Sequence, residues 1–212
     1  HVEEQVKALG PGRIYCPCIL GYSNFRVDFN FDPLTFRCYS REEARGMLLN
    51  LGKWGVVNPE TGRPFTLEET QRLLLGPKAE RGLGVPDLSS PKVIRYYVDR
   101  ARALKRAGVR AVWYDLFFQM PWVLAKKFGF DHPMVRDLYS GACEIVEGAR
   151  REGLIVGTWI TALQFPYDRV PEVDFVTASP TTREVLSLEL NYSRWRRIAE
   201  LVKAKRPGIP LI

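Results

Sequence analysis

An apolar run followed by a capped amphipathic helix recurs along this chain, and that alternation restricts its fold more than any other feature. The clearest unit opens at Ser90-Pro91, with Ser placed as N-cap and Pro at the first helical position. Val93, Ile94, Tyr97, Val98, Ala101 and Leu104 follow at the helical period, Gly108 closes the helix, and residues 109–115 read as a strand. Asp131-His132-Pro133 starts a second helix through Val135, Leu138, Ala142, Ile145, Val146 and Ala149, which Gly153 ends ahead of a strand over 154–160. A shorter strand over 173–177 precedes a helix over 193–205, and at the front a helix over 2–9 leads to a strand over 13–20. Strands apolar nearly throughout, alternating with helices, imply a parallel sheet covered by helices, hence an α/β fold. An open doubly wound sheet or a TIM-type (β/α) barrel would satisfy the pattern. The expectation carried forward is the barrel, as a single domain over residues 1–212.

Two stretches modify that picture. The chain opens on His1 without a Met, and residues 208–212 read as the beginning of a buried strand, so the barrel is expected to be incomplete at its C-terminus. Residues 24–86 break the rhythm. Ser40-Arg41-Glu42-Glu43 and Thr66-Leu67-Glu68-Glu69 are capping boxes that start helices, and 54–64 is rich in turn residues. This reads as a long βα insertion over the barrel's C-terminal face, shaping a substrate cleft, or else as a decorative or oligomerising loop.

Several function classes find no support. The longest apolar run is far short of the ~20 residues a membrane helix needs, so no membrane partner is expected. The net charge of +7 is spread over helical faces (Arg95, Arg100, Arg102, Lys105, Arg106) rather than gathered in a stripe, so no specific nucleic-acid partner is expected. Four cysteines are too few for a disulfide scaffold, and Cys16 and Cys18, on one face of an apolar run, read as buried structural thiols. Of the two histidines, His1 is terminal and His132 precedes Pro133 at a helix start. No metal site and no cofactor are expected, and no phosphate loop, dinucleotide fingerprint or Ser/His/Asp motif is present. Arginine-rich, Asn/Gln-poor usage leans toward a thermophile.

The candidate for chemistry is Asp115. It stands where the strand Val112-Trp113-Tyr114 stops, the position from which barrel side chains meet substrate. A carboxylate flanked by aromatic rings is partly desolvated and can serve as acid, base or nucleophile. A loop cap or an Arg partner is the structural alternative.

Around it, Asp87-Leu88-Ser89-Ser90-Pro91-Lys92-Val93, then Gly108-Val109-Arg110-Ala111-Val112-Trp113-Tyr114-Asp115, resembles a pattern of glycosidase barrels, "D-L-S/T-N-P-x-V" followed by "G-V-D-G-V-x-x-D". The nearest resemblance is to endo-α-1,4-polygalactosaminidases and related extracellular glycosidases. Gly21, Arg26 and the strand Val173-Asp174-Phe175-Val176 agree in order. The resemblance implies hydrolysis of a glycosidic bond in a polysaccharide or oligosaccharide, without a cofactor, with Asp115 as a catalytic or sugar-binding carboxylate. The family's glutamates after the first strand and after the "V-D-G-V" strand are replaced here, by Tyr22-Ser23-Asn24 and by Ala178-Ser179.

Glycoside hydrolysis ordinarily takes two carboxylates. Glu184 and Glu189, expected in a loop after the strand near Thr177, are the nearest substitutes for the second, with Asp28 and Asp32 as others. Sugar contacts are expected from Tyr22, Asn24, Trp122 and Trp159. Trp122 is read as lying in the loop after Asp115, whereas Trp113, inside a strand, is read as core. A non-catalytic carbohydrate-binding barrel is the rival reading, and a nucleic-acid-associated protein a third.

Overall fold

The computed structural model describes residues 2–9, 13–21, 25–26, 31–32, 34–81 and 83–212. Helix α1 (Val2–Ala8) precedes strand β1 (Cys18–Leu20). The region after β1 contributes β2 (Phe25–Arg26), β3 (Phe31–Asp32), β4 (Arg37–Cys38), α2 (Arg41–Arg45), a 3-10 turn (Leu51–Trp54), α3 (Leu67–Leu75), a second 3-10 turn (Gly76–Arg81) and β5 (Leu83–Gly84). Then come α4 (Pro91–Arg106), β6 (Ala111–Asp115), α5 (Gln119–Phe128), α6 (Pro133–Arg151), β7 (Ile155–Trp159), a 3-10 turn (Ile160–Leu163), β8 (Phe175–Thr177), α7 (Thr182–Ser187) and α8 (Tyr192–Lys205).

The main sheet is β1-β6-β7-β8, parallel throughout. Residues 210–212 add beside β8, since Val176 N donates to Pro210 O (3.1 Å) and Ile212 N to Val176 O (2.9 Å). The strands therefore lie side by side in chain order, without the reversal that marks a doubly wound sheet.

The two faces of this sheet differ. Ile19, Val112, Tyr114, Val156, Thr158 and Val176 are buried. Helices α4 and α6 cover this side: Tyr97 of α4 and Tyr114 of β6 both set their rings edge-on to Phe117, at 4.7 and 4.9 Å. On the other face Cys18 and Ile155 are exposed, while Leu20, Trp113, Asp115, Trp159, Phe175 and Thr177 are half-buried. Ala111 and Gly157 of that face are buried, so the two faces differ in degree. Cys16 and Cys18 do share a face, but it is the open one, and both thiols are exposed; Cys143, inside α6, is the buried cysteine.

The helices form for the reasons their sequences give. Ser40 with Glu43 and Thr66 with Glu69 make both reciprocal bonds of a capping box. His132 caps α6 through Nδ1, which accepts from Met134 N. The interface between α4 and α6 is close because α6 carries glycines there: a Cβ on Gly148 would lie 2.5 Å from Val98 Cγ2, and one on Gly141 would lie 1.8 Å from the carbonyl oxygen of Leu88.

The described part of the segment between β1 and α4 packs against the helices. Its body leans on the helix side. Asp32 pairs with Arg100 (2.6 Å), Arg37 with Asp99 (2.9 Å), and Trp54 Nε1 donates to Asp137 of α6 (2.8 Å). Met47, Leu49, Leu51, Phe65 and Val85 join the same apolar core as the sheet, so the insertion is part of the packed body.

Candidate functional site

Asp115 ends β6 on the open face of the sheet. Its backbone is pinned on both sides. Gly21 N donates to Asp115 O (2.9 Å), and Leu116 turns the chain through a left-handed conformation, φ 64°. A leucine held there costs about 1 kcal/mol, and such strain is characteristic of positions fixed by their surroundings. What fixes it is Phe117, fully buried with its ring where a Cβ on residue 21 would be, 2.5 Å away, so only glycine fits at Gly21.

Both carboxylate oxygens have donors. Trp159 Nε1 donates to Oδ1 at 2.5 Å from the neighbouring strand, and the Cys18 thiol lies 4.0 Å from Oδ2 on the other side. Burial, then the Asp115 charge and Cys16, push the Cys18 thiol up to about 11, so it stays protonated and able to donate at neutral pH. Below the carboxylate the rings of Trp113 and Trp159 meet edge to face, 5.2 Å between centroids. Trp113 Nε1 donates to Thr177 Oγ1 (3.2 Å), carrying the contact to β8. Phe175 lies over Gly157, where a Cβ would come within 2.0 Å of the ring. The result is an aromatic floor across three strands with one carboxylate at its C-terminal end. Among the strand residues of this face, Asp115 is the sole acid.

The other expected residues fall elsewhere. Trp122 is on α5, not in a loop. It is half-buried and packs edge-on against Phe130 (5.3 Å) and Phe165 (5.4 Å), within a cluster that includes Tyr139 and Tyr167. Glu184 is likewise not in a loop: it is the third residue of α7 and is buried. Its carboxylate accepts from Thr181 N, Thr181 Oγ1 and Asn191 N (each 2.8 Å), from Trp195 Nε1 (2.8 Å) and from Arg194 Nη1 (3.2 Å). The backbone bonds from Thr181 and Asn191 lead in holding its carboxyl down at about 2. This is a structural carboxylate that ties α7 to α8. Glu189 sits exposed in the turn between those helices. Asp32 is buried against Arg100 and builds its own hairpin, accepting from Leu34 N and Thr35 Oγ1. Tyr22, Asn24 and Asp28 lie outside the described residues.

Asp87, which opens the stretch Asp87-Leu88-Ser89-Ser90-Pro91, has structural work. It is buried, accepts from Ser89 N (3.0 Å) and Ser89 Oγ (2.5 Å), and pairs with Lys53 (2.9 Å), so it joins the insertion to the start of α4. Trp113 corrects the expectation of a core ring. It lies two residues before Asp115, and strand alternation alone would have put it on the same face. Cys18 and Thr177 needed the strand register. Among the described residues, no group of three or more His, Cys, Asp or Glu is arranged to hold a metal. No helix of the described residues is long and apolar enough to cross a membrane. Several arginines pair with acids within the fold, as with Arg102 on Glu152 and Asp99, Arg150 on Asp174 and Glu172, and Arg169 on Glu147.

No protein-family model matches this sequence, and no curated protein matches it either.

Proposed function

We propose that this chain forms part of a TIM-type β/α barrel of the glycosidase kind, in which Asp115 is a working carboxylate for a carbohydrate. The observation that carries this reading is the pairing of Asp115 with Trp159 on the open sheet face. A carboxylate beside a half-exposed indole is what a sugar ring needs, a polar group for its hydroxyls or glycosidic oxygen and an apolar plane for its C–H face. The barrel is supported by parallel strands in chain order with helices packed on one side of the sheet.

In hydrolysis Asp115 would act as general acid/base or as nucleophile, and a second carboxylate would face it across the scissile bond. Glu184 is committed to capping, so that partner is sought in Asp28 or in strands that would complete the barrel. The resemblance to endo-α-1,4-polygalactosaminidases names the first substrate class to try.

A second reading, a barrel that binds carbohydrate without cleaving it, is favoured by the single acid on this face. One experiment separates the two. The protein and its Asp115→Asn variant are incubated with a panel of polysaccharides that includes α-1,4-linked galactosaminoglycan, with release of reducing ends and calorimetric binding both measured. Hydrolysis by the parent alone supports the enzyme. Binding without release, weakened in the variant, supports the binding barrel. Hydrolysis unchanged in the variant, or no binding to any carbohydrate, overturns the role given to Asp115. Steeply salt-dependent binding to DNA or RNA instead would point to the third reading.

A further inference from the structure

Within eight residues, five large apolar side chains stand out into solvent. Val185, Leu186, Leu188, Leu190 and Tyr192 are 57%, 81%, 91%, 51% and 77% exposed. They are firmly mounted. The Glu184 carboxylate holds Thr181 at one end of the segment and Asn191, Arg194 and Trp195 at the other. Leu188, at the tip, is in the left-handed conformation, φ 56°. Together they expose roughly 600 Å² of apolar surface, the upper range for the largest patch on a monomer.

We infer that this patch is the contact between two copies of the chain. Two such patches face to face remove about 1,200 Å² from water, the lower end of what a specific interface buries. The charges at its border suit a symmetric pair. Arg183 and Glu189 are both exposed and hold no ion pair among the described residues. An antiparallel two-fold centred near Leu186 brings Arg183 of each copy to Glu189 of the other. An anionic bilayer fits less well, because it would repel Glu189 at the border of the patch, and α7, at six residues, offers less than two turns of helix to lie along it. The contact is independent of Asp115 and its proposed ligand.

Sedimentation velocity from low micromolar to several hundred micromolar protein tests it. The expected result is a reversible monomer–dimer equilibrium, weakened about tenfold or more by Leu186→Asp. Arg183→Glu should also weaken it, and Arg183→Glu with Glu189→Arg in one chain should restore it. That recovery decides the matter even if Leu186→Asp loses its far-UV circular dichroism. A parent protein monomeric throughout the range overturns the inference. So does a folded Leu186→Asp variant that associates as the parent does, or a charge swap without recovery. Pelleting of a monomeric parent with phosphatidylglycerol vesicles would also overturn it and assign the patch to a membrane surface.

Discussion

Trp159 and Asp115 stand beside each other at the ends of adjacent parallel strands, and the indole Nε1 donates to the carboxylate Oδ1 at 2.5 Å. The contact joins the sole acid among the described strand residues of the open sheet face to a half-buried indole. It also fixes the carboxylate's orientation, since the Cys18 thiol reaches only the other oxygen.

Replacing Trp159 by Phe keeps most of the ring and deletes the donor. A hydrogen bond to a charged group contributes about 1.5–3 kcal/mol when buried, less where water can replace it, so a stability loss of about 1 kcal/mol is expected in urea. Carbohydrate affinity should fall about tenfold by calorimetry. Equal affinity in the two proteins would detach Trp159 from the proposed site.

The acid limb of the stability curve should depend on Glu184. Its carboxyl is held at about 2 in the folded chain against 4.5 ordinarily, chiefly by the Thr181 and Asn191 backbone donors. A depressed carboxyl stabilises the fold fully above its unfolded value, and that contribution drains away as pH falls from about 4.5 to about 2. Melting temperatures across this window should drop more steeply for the parent than for Glu184→Gln, which starts lower and has no such proton to take up. Parallel curves would mean that the carboxylate does not tie α7 to α8.

Phe175 and Gly157 face each other across β7 and β8, and Gly157→Ala places a methyl 2.0 Å from the Phe175 ring. The ring is half-buried, so it can swing away at a cost of about 1–2 kcal/mol. Its displacement disturbs the floor under Trp113, so intrinsic tryptophan fluorescence should shift together with stability. An unchanged spectrum would show that the floor is not packed as described.

What the sequence shows depends on how local the determinant is. The capping boxes at Ser40 and Thr66, the Ser90-Pro91 start and the periodic faces of α4 and α6 are set by residues a few positions apart, and they were legible. The box at Thr181-Thr182-Arg183-Glu184 has the same grammar and is equally local, so the capping role of Glu184 is legible there. Helix α5 was hidden by Pro121, which reads as a loop residue, although proline is tolerated in a first turn. Alternation put Cys16 and Cys18 on one face but could not say which face the helices cover, because that depends on how α4 and α6 return to the sheet. The same gap sent Trp113 to the core, when the register sets it opposite Cys18 on β1 and Gly157 on β7, on the open face.

The seat of α4 on α6 can be tested at one atom. Gly141 faces the turn that Asp87 builds, and an added Cβ would stand 1.8 Å from the Leu88 carbonyl oxygen and 2.6 Å from its carbon. These are backbone atoms, so no side chain can rotate out of the way, and α6 must retreat from the turn. Alanine favours a helix interior over glycine by about 1 kcal/mol, but overpacking against backbone costs more, about 3 kcal/mol. Gly141→Ala should therefore lose about 2 kcal/mol in guanidinium unfolding. Gly46→Ala is the matched control. Its φ is −67°, the nearest atom to a new Cβ is Glu42 O at 3.4 Å, and its stability should move by less than about 0.5 kcal/mol. If Gly141→Ala proved as harmless as the control, the close approach of α6 to the Leu88–Ser89 backbone, and with it the seating of α4, would be wrong.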